Sequence, residues 1–275
     1  MKKLLAFLLL CCSFAVANAQ FNAVAVVGSD GYSVARASYN MGVPFAPGLS
    51  LIPQIAMYTR DNMDTMYKYG LGANWQTPFL DILEIGAEGS YTPKANGYSN
   101  YSFGSYASFD IAHFMMGFMP MDSLKIGGGV RKTFHTFYTS PEVDINETDV
   151  YTFIRGAKGG LDLGATFTKA VDYSSKTGAY QPLWLDIPGL NAVYGGFLDY
   201  SLALDAGYSY KIVRPFASYA LIKLKGFEET DDLRLGLTLK LAVVNVNGAV
   251  EWYNFSKNSG QDRERFYTLN ASLGF

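Results

Sequence analysis

Tyr267-Thr268-Leu269-Asn270-Ala271-Ser272-Leu273-Gly274-Phe275 closes the chain. Its apolar members Tyr267, Leu269, Ala271, Leu273 and Phe275 alternate with Thr268, Asn270, Ser272 and Gly274. Side chains of an extended backbone point alternately to opposite faces, so the stretch predicts a β-strand with one apolar and one polar face. Two architectures use such a strand: the edge of a soluble sandwich and the wall of a membrane barrel.

The same period recurs upstream. Leu233, Leu235, Leu237, Leu239 and Leu241 occupy every second position, too regular for a helix face, and Tyr67, Tyr69, Leu71, Ala73 and Trp75 alternate with Lys68, Gly70, Gly72, Asn74 and Gln76. Strand-like segments are expected near 264–275, 247–257, 233–244, 214–225, 198–212, 160–170, 149–156, 122–134, 101–117, 82–92, 66–76 and 49–59. Gly (28), Tyr (20) and Phe (19) are abundant and charged residues make up only 17%, a composition suited to a β-rich protein whose outer surface need not be charged. Beyond the first 19 residues, no run reaches the roughly 18–20 consecutive apolar residues of a membrane helix.

Residues 1–19 have the form of an export signal: Lys2 and Lys3, an apolar run from Leu4 to Ala17, and Ala17-Asn18-Ala19 as a small-x-small cleavage site. Cys11 and Cys12 both lie in that run, so the expected mature chain has no thiol for a disulfide, a nucleophile or a metal. Large Leu10 and Cys11 precede these cysteines, against a lipoprotein anchor. Loss of Lys2 and Lys3 leaves 20 basic against 24 acidic side chains, net −4, and no basic stripe to neutralise phosphates; a nucleic-acid partner is disfavoured.

Ending in an aromatic residue, the 267–275 strand resembles the C-terminal assembly signal of bacterial outer-membrane β-barrels, carried here by Tyr267, Leu269, Leu273 and Phe275. The resemblance implies an all-β fold, a closed antiparallel up-and-down transmembrane barrel with an even number of strands, 12 to 14, preceded by a signal peptide. It also implies outer-membrane lipid, lipopolysaccharide and the barrel assembly machinery as partners. Residues 49–275 are then the barrel. Residues 20–48 are either a further hairpin of the wall, with a Ser29-Asp30-Gly31 turn, or a segment folded into the lumen or periplasm. With Phe275 on the periplasmic side, external loops are expected at 60–65, 93–100, 135–148, 171–197, 226–232 and 258–263. Every connection of six or more residues then falls on one side. The acidic runs Pro141–Asp149 and Phe227–Asp232 read as solvated loop tips.

The polar face places Lys68, Glu84, Glu88, Lys125, Arg131, Asp162, Asp205, Lys211, Arg234, Lys240 and Glu251 in the lumen. Mixed charges lining a wet interior suit passage of small polar solutes without strong ion preference. The same charges, tightly paired, would instead fill a non-conducting structural or interaction barrel. The chain resembles, as a class, small porin-like barrels, which implies passive diffusion. The 171–197 loop is unusually apolar, with Tyr180, Trp184 and Leu185 as candidates for a constriction at the mouth, for contact with a neighbouring protomer or partner, or for a ligand. A hydrolase would need a histidine beside an activated serine. His113 and His135 are the only histidines, and Ser105 and Ser108 lie too far along one strand for direct proton transfer to His113. No nucleotide, phosphate or metal motif occurs in a convincing context, so no cofactor is expected.

Overall fold

The computed structural model describes residues 19–77, 82–112, 121–173, 180–188, 190–254 and 263–274. Residues 1–18 of the expected signal, His113 and Phe275 lie outside the described residues.

In chain order the strands are β1 (Ala19–Val27), β2 (Ser33–Gly42), β3 (Leu49–Thr59), β4 (Met66–Gln76), β5 (Leu83–Ala95), β6 (Tyr98–Asp110), β7 (Ser123–Phe137), β8 (Val143–Lys158) and β9 (Leu161–Tyr173). Two short strands follow, β10 (Leu185–Asp186) and β11 (Val193–Tyr194). The chain finishes with β12 (Leu198–Tyr208), β13 (Val213–Leu224), β14 (Glu229–Leu241), β15 (Val244–Asn254) and β16 (Glu264–Gly274). All but β10 and β11 join in one closed 14-stranded antiparallel barrel, in which β9 pairs with β12 and β1 closes on β16. The seam runs from Gln20 opposite Gly274 to Val27 opposite Tyr267. Residues 20–42 therefore belong to the wall, and the strand count is fourteen. Hydrocarbon offers no partner for an unpaired backbone group, so such a seam must close completely.

The end of the barrel where β16 finishes is here the inner end, the opposite one the outer end. The expected parity of long connections holds only in part. At the inner end 43–48, 77–82 and 111–122 each span six or more residues. At the outer end the expected 93–100 loop is a two-residue hairpin, in which Asn96 (φ 54°) and Gly97 (φ 73°) adopt the left-handed conformations that match the twist of paired strands. The expected 135–148 loop shrinks to 138–142, because β7 and β8 run on past it. Composition misled here: Asp144 and Asn146 face out while Val143 and Ile145, both buried, face in.

Leucines at alternate positions cover the outside. Leu71 is 56% exposed, Leu163 54%, Leu237 43% and Leu269 53%, with Tyr67, Tyr69, Tyr91 and Tyr208 beside them. A continuous apolar belt is the wrong surface for water and the right one for lipid. Inside, the two halves differ. Toward the outer end Val26, Val34, Met66, Tyr98, Ile145 and Ile222 point inward and are almost fully buried in one apolar cluster. Toward the inner end the inward rows carry Asn, Ser, Gln, Thr, Gly and charged residues.

Candidate functional site: a plugged lumen

The described part of the connection between β9 and β12, residues 180–188 and 190–197, fills the outer half. It turns back on itself through the β10–β11 pairing, with Leu185 opposite Tyr194 and Asp186 opposite Val193, and through the Gly196 amide bonded to the Pro182 carbonyl at 2.9 Å. Proline at 182 and 188 prevents a longer ladder. Trp184 (3% exposed), Leu185, Ile187, Leu190, Val193 and Phe197 are buried in the same cluster as the inward apolar residues of the wall. Tyr180 is less buried and packs on Phe137 with ring centres 5.2 Å apart. Two of the plug's aromatic rings meet the wall edge-on or tilted: Trp184 against Tyr58 at 6.0 Å and Tyr194 against Tyr253 at 4.9 Å.

Three polar attachments hold this plug. At its tip, Asp186 accepts from Arg36 Nη2 (2.7 Å) through one carboxylate oxygen, and from Lys68 Nζ (2.6 Å) and Trp184 Nε1 (2.9 Å) through the other. Arg131 Nη2 donates to the Asp186 carbonyl at 3.0 Å and to Asp149 at 2.9 Å. Burial alone would raise the Asp186 pKa, but the opposing pull of Lys68, Arg36 and Arg131 holds it well below the usual carboxylate range. In the second attachment the Tyr194 hydroxyl donates to Asp232 at 2.7 Å and lies 3.4 Å from Glu251. Burial, then the two carboxyls, push the Tyr194 pKa well above its ordinary value. In the third, the Leu198 amide donates to Glu147 at 3.1 Å. Glu147 lies 3.3 Å from His135 Nε2, and Tyr98 OH lies 2.8 Å from His135 Nδ1. Asn100 already donates to Tyr98 OH at 2.8 Å, which frees the tyrosine to donate to Nδ1 and leaves the imidazole proton on Nε2 toward Glu147. Both ring nitrogens of His135 are thus occupied.

Below the plug the lumen is polar. A cavity of about 350 Å³ is lined by Arg36, Lys68, Glu88, Arg131 and Asp186 among small polar residues. Another of about 340 Å³ lies nearer the inner end, with Glu84, Tyr106, Lys125 and Arg155 on its walls. Glu84 accepts from Tyr106 OH at 2.8 Å and lies 3.6 Å from Lys125 Nζ. Arg214 makes a two-point pair with Asp162, its Nε–Oδ1 distance 2.9 Å. Gly207 makes room for it, since a Cβ there would lie 2.5 Å from Arg214 Nη2, and Gly164 does the same for Asp205. Arg234 donates to Ser218 at 3.1 Å, and Lys240 reaches Ser209 at 3.1 Å near the inner rim. Glu251, by contrast, is fully buried against the plug.

Lys211 does not stand in the wall. The expected 198–212 strand stops at Tyr208, and Lys211 (φ 54°) sits in the following turn beside the Tyr210 ring. Asp149, Glu147 and Asp232, expected as solvated loop tips, are buried beside the plug: Asp232 accepts from Tyr194 of the plug, while Asp149 pairs with Arg131 and Glu147 with His135 and the Leu198 amide of the wall. Sequence reading also passed over Arg36, Asp186 and Tyr194. Asp186 carried one usable signal, a lone carboxylate between Leu185 and Ile187 in an apolar loop.

No family model matches the chain, and none of the curated proteins matches it by sequence. Among solved structures, CdiB from Acinetobacter baumannii is similar with a TM-score of 0.54 and 10% identity, over 94% of this chain, which spans 61% of CdiB. A bacterial polysaccharide outer membrane secretin is similar at 0.50 and 11% identity, over 95% of this chain and 100% of that one. The Pseudomonas putida toluene transporter TodX is similar at 0.51 and 9% identity, over 95% and 90%. At such identities the likeness is one of fold: a 14-stranded closed barrel of the kind found in outer-membrane channels and transporters, consistent with an outer-membrane location.

Proposed function

We propose that this protein is an outer-membrane channel for small polar solutes, closed at its outer mouth by the plug between β9 and β12 and opened when that plug leaves the lumen. The observation that carries the reading is the change of the interior, from an apolar outer half fitted to the plug to an inner half where polar and charged side chains line open cavities. A structural barrel with no traffic has no need of a wet, charge-lined inner half. Liposome swelling tests the proposal: with refolded protein, deletion of 180–190 speeds entry of a small sugar several-fold over the intact chain. Equal, solute-tight behaviour of two correctly folded barrels rules the reading out.

A second reading rests on a different cavity. About 230 Å³ lies between plug and outer mouth, walled by Tyr32, Tyr58, Met63, Leu183, Tyr253 and Phe266. Such a lining suits a small apolar or aromatic solute, the kind of compound TodX is described as transporting. Saturable quenching of protein fluorescence by toluene, lost in Tyr58→Ala, supports this reading; quenching that is linear and identical in the two proteins excludes it.

Trp184 and Leu185, which the interaction-barrel alternative would present outward, are turned inward, and most of 135–148 is strand, which favours the channel reading.

A further inference from the structure

The plug tip shows what the wall beneath it recognises. Arg36 and Lys68, from β2 and β4, have Asp186 as their only ion-pair partner among the described residues. Arg131, from β7, binds the Asp186 carbonyl and not its carboxylate. The three cations thus read a carboxylate and a second oxygen acceptor whose carbons are three bonds apart, along Cγ, Cβ, Cα and C of one aspartate. All three line the 350 Å³ polar cavity, where Glu88 is the only other carboxylate. Arg36 also keeps a buried Nε without a hydrogen-bond partner, so its guanidinium has donor capacity that Asp186 does not use.

We propose that Arg36, Lys68 and Arg131 form a solute-binding site for small carboxylates bearing a second oxygen acceptor at that spacing, the chemistry of a 4-oxo acid or a four-carbon dicarboxylate, and that Asp186 occupies it as a tethered stand-in when the lumen is closed. Arg36 and Lys68 bind the carboxylate, as they bind Asp186 at 2.7 and 2.6 Å. Arg131 supplies selectivity through a charge-assisted hydrogen bond to the second acceptor. An arriving solute of this class competes with Asp186 and so weakens the polar attachment of the plug tip. The inference deepens the channel reading and names its substrate class.

Calorimetric titration of refolded protein tests it, with levulinate as probe, pentanoate as the same chain lacking the carbonyl, and 2-pentanone lacking the charge. Asp186→Ala removes the competing carboxylate, and deletion of 180–190 removes the whole tip should the first variant misfold. Both are expected to bind levulinate at least tenfold more tightly than the intact chain, in which Asp186 competes. Levulinate binds about tenfold more tightly than pentanoate, one charge-assisted hydrogen bond, and Arg131→Gln in the vacated background erases that difference. Adding Arg36→Gln and Lys68→Gln abolishes both. Absence of heat in both vacated barrels, or equal affinity for 2-pentanone, overturns the site. Binding in a barrel that stays solute-tight without its plug sustains the site and refutes the channel.

Discussion

The two halves of this barrel are built from the same strands but solve opposite problems. In the outer half the inward rows are apolar and meet an apolar plug; in the inner half they are polar and meet water. β8 makes the contrast within one strand: Val143 and Ile145 face the plug, Glu147 and Asp149 face its polar attachments, and Tyr151 and Phe153 line the inner cavity with Arg155. A buried polar group in the outer half has no water to replace a lost partner, whereas one in the inner half does. Equivalent substitutions should therefore cost far more above Asp186 than below it.

The largest effect is expected from Trp184→Ala. It removes the largest ring of the plug, itself buried, and should destabilise the closed form by about 3–5 kcal/mol, enough to raise basal conductance strongly. An unchanged current and unchanged protection of the plug from protease would break the comparison. Next comes the lipid face, which serves as a control for both halves. Leu237→Arg should lower the stability of the lipid-refolded barrel by roughly 2–4 kcal/mol, and Thr238→Arg, pointing into the lumen, by much less.

The polar contacts sharpen the contrast. Tyr194→Phe leaves Asp232 without its donor in a dry setting and should cost about 1–3 kcal/mol in plug retention. Arg214→Met, breaking a half-exposed pair in the wet inner half, should cost about 0–1 kcal/mol. Equal losses in the two would mean that the halves do not differ in solvent access. Acid gives the smallest effect over the usual range. The folded-state pKa of Asp186 lies below the usual carboxylate range, so its contribution to closure is fully present above that range and fades only as pH falls beneath it. The Asp186 contribution, read as the difference in conductance between the intact chain and Asp186→Ala, should be flat from neutral pH down to about 5 and shrink only below about 4.

Much of the wall was legible before any coordinates, because lipid outside and water inside impose period two on every strand. Leu233 to Leu241 and Tyr67 to Trp75 announce their faces directly. Legibility failed wherever a third environment intervened. Period two also runs through Val143 to Asn146, but it is inverted, with the apolar residues inward, because the partner there is neither lipid nor water but the plug. That segment shows its apolar character in sequence and hides its target, since nothing local tells Asp186 that Arg36, Lys68 and Arg131 lie 150, 118 and 55 residues away. Residues 20–42 were ambiguous for a related reason: closure of the wall is a property of the whole ring, and β1 has its partner in β16 at the far end of the chain.

The central claim, that the plug between β9 and β12 closes a polar lumen, is tested most directly by single-channel recording in planar bilayers. The intact chain and the chain lacking 180–190 would be compared, both first shown to be folded by heat-modifiable migration. The account predicts rare, brief openings for the intact chain and steady ohmic conductance for the deletion, with weak ion selectivity as its mixed lumenal charges require. A folded deletion barrel that carries no more current than the intact chain would contradict it.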